Sequence, residues 1–108
     1  MNNSFLIVNR IKEFIFSIDN LVINLPRREL IIKDRLLSDS FDILEYIYLA
    51  NYSNSKESKK ILLSKISMLD FYLEYLYKKN IISQKVCMKK SSELKEILRM
   101  IYGWIKCL

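Results

Sequence analysis

Residues 56–79 read KESKKILLSKISMLDFYLEYLYKK. Within them Leu62, Ile66, Leu69, Leu73 and Leu76 recur at alternating steps of four and three. That is the period of one face of an α-helix. The stretch predicts a helix over about 56–79, and KKNII (78–82) closes it.

Working outward, NYSNSKES (51–58) is the clearest loop in the chain. Asn54 with Glu57 three residues on matches a capping box opening the 56–79 helix. Before the loop, Leu37, Phe41, Leu44 and Tyr48 make the stripe of a helix over about 28–52. Pro26 separates it from a first helix over about 4–24, because proline disfavours helix at Leu25 and cannot continue the ladder. Val8, Ile11, Ile15, Ile18, Val22 and Leu25 are the stripe of that first helix. Downstream, Ser83 is an N-cap candidate for a last helix over about 84–107. Its stripe is Leu94, Ile97, Leu98, Ile101, Ile105 and Leu108. Ser91 or Ser92 offers an alternative start inside it, and a continuous helix is the reading taken here. Four helices of about 20 residues with short connections predict an all-α, antiparallel up-down-up-down four-helix bundle, one domain over residues 1–108.

Composition agrees. One glycine and one proline leave little to build the tight turns of an all-β fold. An apolar fraction of 51% excludes a disordered chain. There is no histidine, which removes imidazole bases and the commonest zinc ligand. Cys87 and Cys107 read as reduced thiols and cannot alone close a structural zinc site. The carboxylate pairs Asp39/Asp42 and Glu93/Glu96 are better explained as solvated helix faces than as acid–base machinery. The expectation is no catalytic residue, no metal, no cofactor and no enzyme. FLIV (5–8) is too short for a signal-peptide core, and no stretch has the roughly 18 uncharged residues of a membrane span. A cytoplasmic protein with no membrane partner is expected.

The net charge of +6 is unevenly placed. Residues 1–77 carry ten basic and ten acidic side chains, whereas residues 78–108 carry eight basic ones and only Glu93 and Glu96. Lys78, Lys79, Lys85, Lys89 and Lys90 are therefore candidate phosphate contacts at one end of the bundle. No DNA-reading motif accompanies them, so such contacts would follow backbone and shape. The plainer alternative is a solvated lysine-rich face.

Two features exceed what a monomeric bundle needs. Thirteen of the 21 residues from Phe5 to Leu25 are apolar, where a helix packed on one side needs about three in seven. The third helix carries a second stripe, Ile61, Met68, Tyr72 and Tyr75. These predict a subunit interface, the alternative being a wide core face with wet tyrosine hydroxyls.

LPRRELIIKDRLLSDSFDILEYIYLANYS (25–53) resembles the first helical hairpin of the Avd family, the accessory variability determinant proteins of diversity-generating retroelements. The residues that carry the resemblance are Leu25, Pro26, Arg27, Arg28, Arg35, Leu36, Ala50, Asn51 and Tyr52. Ile81, Ile82 and Ser83 before the last helix match too. The ending LRMIYGWIKCL (98–108) is similar to the family's Gly-Gly-Trp signature at Gly103 and Trp104, with Tyr102 in place of the first glycine. The related four-helix proteins of ribosomal RNA intervening sequences match less well, because their Asn-Ile-Ala-Glu-Gly-like stretch is absent.

The resemblance implies a non-enzymatic protomer of a basic homopentameric ring. That ring would bind a reverse transcriptase and its RNA or cDNA, supporting mutagenic copying. Where the family usually has arginines on the third helix, Asp70 and Glu74 stand here. The other class of reading is a structural oligomerisation or adaptor bundle that binds an acidic protein without nucleic acid. Arg27 and Arg28 oppose the dipole at a helix start, so at least one of them is expected to face a partner or an acidic residue on a neighbouring subunit. Gly103 is expected to admit a neighbouring helix while Trp104 anchors the packing, unless the last turn simply frays.

Overall fold

Pro26 holds an extended backbone (φ −61°, ψ 148°) between the first helix and a single 3-10 turn, Arg27–Glu29. The computed structural model describes residues 3–53 and 56–106, and the side chains of residues 6–53 and 56–104. Among them four α-helices follow in order: α1 (Asn3–Ile23), α2 (Leu30–Ser53), α3 (Lys56–Lys78) and α4 (Gln84–Lys106). The continuous reading of α4 through Ser91 and Ser92 holds. None of these helices is long and apolar enough to cross a membrane.

The turns explain the short connections. The α3–α4 link is a Schellman closure. Asn80 takes the left-handed conformation (φ 61°), the Ile81 amide donates to the Leu76 carbonyl at 2.9 Å, and the Asn80 amide donates to that of Tyr77 at 2.9 Å. Asparagine tolerates this backbone where no glycine is available. Ser83 then caps α4 by accepting the Val86 amide at 3.1 Å. The Asn54 cap expected for α3 lies outside the described residues.

Each helix packs beside two others, α1 on α2, α2 on α3, α3 on α4 and α4 on α1, and the diagonal pairs are not backbone neighbours. That is an up-down-up-down bundle, 41 Å in its longest dimension. The α3 stripe Leu62, Ile66, Leu69, Leu73 and Leu76 is buried throughout. So are Ile11, Ile15, Ile18 and Val22 on α1, Leu25 just after it, and Leu94, Ile97 and Ile101 on α4, with Val8 and Leu98 packed at the edge. Ile105 and Leu108 lie outside the described side chains.

The α2 stripe is corrected by one residue. The inward row is Leu36, Ser40, Ile43, Ile47 and Ala50, joined by Asp39. Phe41 is 55% exposed, and Leu37, Leu44 and Tyr48 are only half-buried. Two adjacent rows of α2 have helical spacing, and the bulkier one points outward. Small Ser40 and Ala50 let α2 approach its neighbours, and the Ser40 hydroxyl donates to the Leu36 carbonyl at 2.6 Å.

The rotation is fixed by a polar cluster with α3. Tyr72 donates to Asp39 Oδ2 at 3.0 Å, while Lys65 Nζ donates to Asp39 Oδ1 at 3.2 Å and pairs with Asp42 Oδ2 at 3.1 Å. Asp39 is therefore buried, not the solvated carboxylate expected from sequence. A buried carboxylate is tolerable only with such partners. Tyr72 is likewise core at 5% exposure, which corrects its assignment to an outward interface stripe.

Gly103 also departs from expectation. It is exposed, and a Cβ built there would meet no atom of a neighbouring helix within 4 Å among the described residues. Trp104 does anchor the packing, buried at 4% exposure. Gly103→Ala is expected to stabilise the isolated protomer by about 1 kcal/mol, since alanine restores helix propensity without a clash. A thermal melt at high dilution checks this, and no increase in midpoint would show that α4 is not helical there in solution.

Candidate nucleic-acid interface

The five lysines singled out in the sequence gather where α3 ends and α4 begins, but their charges are not equally available. Lys79 reaches across to the 3-10 turn and donates to Glu29 Oε1 at 2.8 Å. Its ammonium also lies 5.0 Å from the Tyr75 ring centre and 3.3 Å from that hydroxyl. The Glu29 hydrogen bond first, then that of Tyr75, holds the lysine above its ordinary pKa. Glu29 is buried, so releasing Lys79 would leave a carboxylate without its nearest cation. Lys90 is tucked in at 12% side-chain exposure, 3.7 Å from Glu93. Lys78 pairs with Glu74 one turn back at 3.2 Å, with both side chains largely exposed. Such a pair is worth little and yields readily to a stronger anion.

Lys85 and Lys89 remain. Both are exposed, one turn apart on the outer face of α4, and no acidic partner engages either among the described residues. The expected five-lysine patch is thus centred on two, with Lys78 available as a third. Two cations that the sequence reading counted but did not place extend it. Lys95 and Arg99 lie exposed on the same outer side of α4, farther down the bundle. Their register was the available signal, since Arg99 is 14 residues, two heptads, beyond Lys85. The acids of α4 turn aside: Glu96 pairs with Arg10 of α1 at 3.3 Å, and Glu93 faces Lys90. Asp70, where the resembled family has arginine, accepts a hydrogen bond from Ser91 at 2.8 Å and so braces α3 to α4. The surroundings of Cys87 disfavour its thiolate. Burial, then Asp70 and Glu74, push its pKa up, and its Sγ sits 3.7 Å from the Leu73 carbonyl. Cys107 lies outside the described residues.

The residues expected at a partner surface separate likewise. Arg27 and Arg28 are both exposed on the 3-10 turn, and Arg28 has an acid of its own chain, Glu29, at 3.8 Å. Met68 is exposed and Ile61 and Tyr75 are half-buried, leaving the second α3 stripe partly open without Tyr72. The apolar excess of α1 resolves, among the described side chains, into a buried row with half-buried flanks and three outward side chains, Leu6, Phe16 and Ile23.

No family model matches this chain, and no curated protein matches it. Among solved structures it is similar to a protein of unknown function from the S23 ribosomal protein family of Bacteroides thetaiotaomicron. The TM-score is 0.85 at 19% identity, over 96% of this chain and 98% of that one. At that identity the likeness establishes the four-helix fold alone.

Proposed function

We propose that this chain is a non-enzymatic accessory protein of a diversity-generating retroelement. It binds a reverse transcriptase and that enzyme's RNA or cDNA, as a homo-oligomer that the Avd resemblance makes a pentamer. The observation that carries the nucleic-acid part is the outer face of α4, where Lys85 and Lys89 stand exposed without an acidic partner among the described residues. Recognition there is of phosphate backbone and not of bases.

A second reading has its own support. Lys78, Lys79 and Lys90 already engage carboxylates of the chain. A surface built that way also suits an acidic protein, which makes the bundle an adaptor. Titrating labelled single- and double-stranded RNA and DNA at low and physiological salt separates the two. Binding to several sequences with similar affinity, weakening steeply with salt, supports the first reading. No binding to any of them at low salt, with the oligomer intact, leaves the adaptor.

A further inference from the structure

Gly103 keeps a hollow open on the outside of the bundle. It measures about 250 Å³, lies on the α1–α4 seam, and is lined by Leu6, Ile7, Met100, Gly103 and Trp104. The glycine weakens α4 and serves no close packing against another helix among the described residues, because none of them comes within 4 Å of where its Cβ would stand. On the same outer face Lys95 and Arg99 precede it at steps of four, all three exposed.

The diagonally opposite helix offers the complement. The lower half of α2 presents Phe41, Glu45, Leu49 and Tyr52 at steps of four, four and three, all exposed. Tyr52, at 81%, is the most exposed large apolar side chain among the described residues. Thus an apolar and aromatic face carrying the Glu45 carboxylate lies on one side of the bundle, and a face carrying Lys95 and Arg99 above an apolar hollow on the other. The two helices are not backbone neighbours within a protomer, and both faces point outward.

We propose that the lower α2 face of one copy docks on the α4 face of the next, with Tyr52 in the Gly103–Trp104 hollow and Glu45 against Lys95 and Arg99. The spacings agree when the two helices run parallel. Tyr52 lies seven residues below Glu45, about 10.5 Å, and Gly103 lies eight below Lys95, about 12 Å. A contact between two different faces is heterologous, so it repeats from copy to copy until a ring closes. It rests on the reading of the chain as a homo-oligomer. It leaves Lys85 and Lys89, the centre of the basic patch, uncovered above it and takes up only the extension at Lys95 and Arg99, so nucleic-acid binding is probed at Lys85 and Lys89 without touching the subunit contact.

The test is light scattering at tens of micromolar protein and physiological salt. The wild type is expected well above the 13.0 kDa protomer. Gly103→Leu, which fills the hollow, and Tyr52→Ala, which removes its occupant, are each expected to fall to protomer mass with α-helical circular dichroism intact. Glu45→Arg alone, and Lys95→Glu with Arg99→Glu, are each expected to be protomers, and an equimolar mixture of the two is expected to regain a heavier species. A wild-type oligomer that persists through all of these variants overturns this interface and leaves the homo-oligomer reading standing. A wild-type protomer at that concentration overturns both. Absence of nucleic-acid binding by an intact oligomer that the variants do dissociate supports the interface and removes only the nucleic-acid reading.

Discussion

Asp39→Ala is expected to lower stability by about 3 kcal/mol, because it leaves buried Tyr72 and half-buried Lys65 facing an empty site. Tyr72 would keep a hydroxyl at 5% residue exposure with no acceptor in place of Asp39, and Lys65 would retain only Asp42. In a domain of this size that corresponds to a fall of roughly 12–24 °C in thermal midpoint. Tyr72→Phe removes a single hydrogen bond and is expected to cost about 1–3 kcal/mol, since Asp39 keeps Lys65. The double variant should cost less than the two single losses together, because one interaction is being removed twice. Strict additivity would show that the Asp39–Tyr72 bond does not form in solution.

The same cluster sets an alkaline limit. The Lys65 pKa is raised, chiefly by the hydrogen bond to Asp42 and against the opposing effect of burial. The Tyr72 pKa is raised chiefly by burial and then by its bond to Asp39. A group whose folded pKa lies above its unfolded value contributes stability that is whole below the unfolded pKa and is lost as pH rises through the folded one. With unfolded values of 10.0 and 10.5, the contribution should hold through neutral pH and fall above about 10. Tyr72→Phe should flatten part of that fall.

Reversing Lys85 and Lys89 to glutamate is expected to weaken nucleic-acid binding roughly tenfold or more at low salt, uniformly across sequences. Two phosphate contacts at 0.7–0.9 each should also lower the salt slope by about 1.4–1.8. The bundle should stay folded, because neither side chain enters the core and neither makes an ion pair among the described residues. Reversal at Lys79 is the instructive contrast. It would place a second carboxylate against buried Glu29, so lost stability and lost affinity would be confounded. Unchanged affinity and slope after reversal at Lys85 and Lys89 would remove the α4 face from the nucleic-acid reading.

Much of the architecture follows from local order in the chain. The period of α3, Pro26 before α2, the Ser83 cap and the near-absence of glycine and proline set four helices within a residue or two of where they lie. The crowding of positive charge after residue 77 is likewise a property of the sequence alone. What the sequence could not decide is which of two adjacent rows of α2 faces inward. Leu37, Phe41, Leu44 and Tyr48 have a helical period as good as that of Leu36, Ser40, Ile43 and Ile47, and a more apolar content. The choice rests on Tyr72 and Lys65, 33 and 26 residues from Asp39, whose bonds exist only once α3 lies alongside. Lysine availability has the same origin: Lys79 is engaged by Glu29, 50 residues away. Helical period is a local property that any window of chain reveals. Helix rotation and charge pairing depend on through-space distances of a few ångströms, and only the packed bundle sets those.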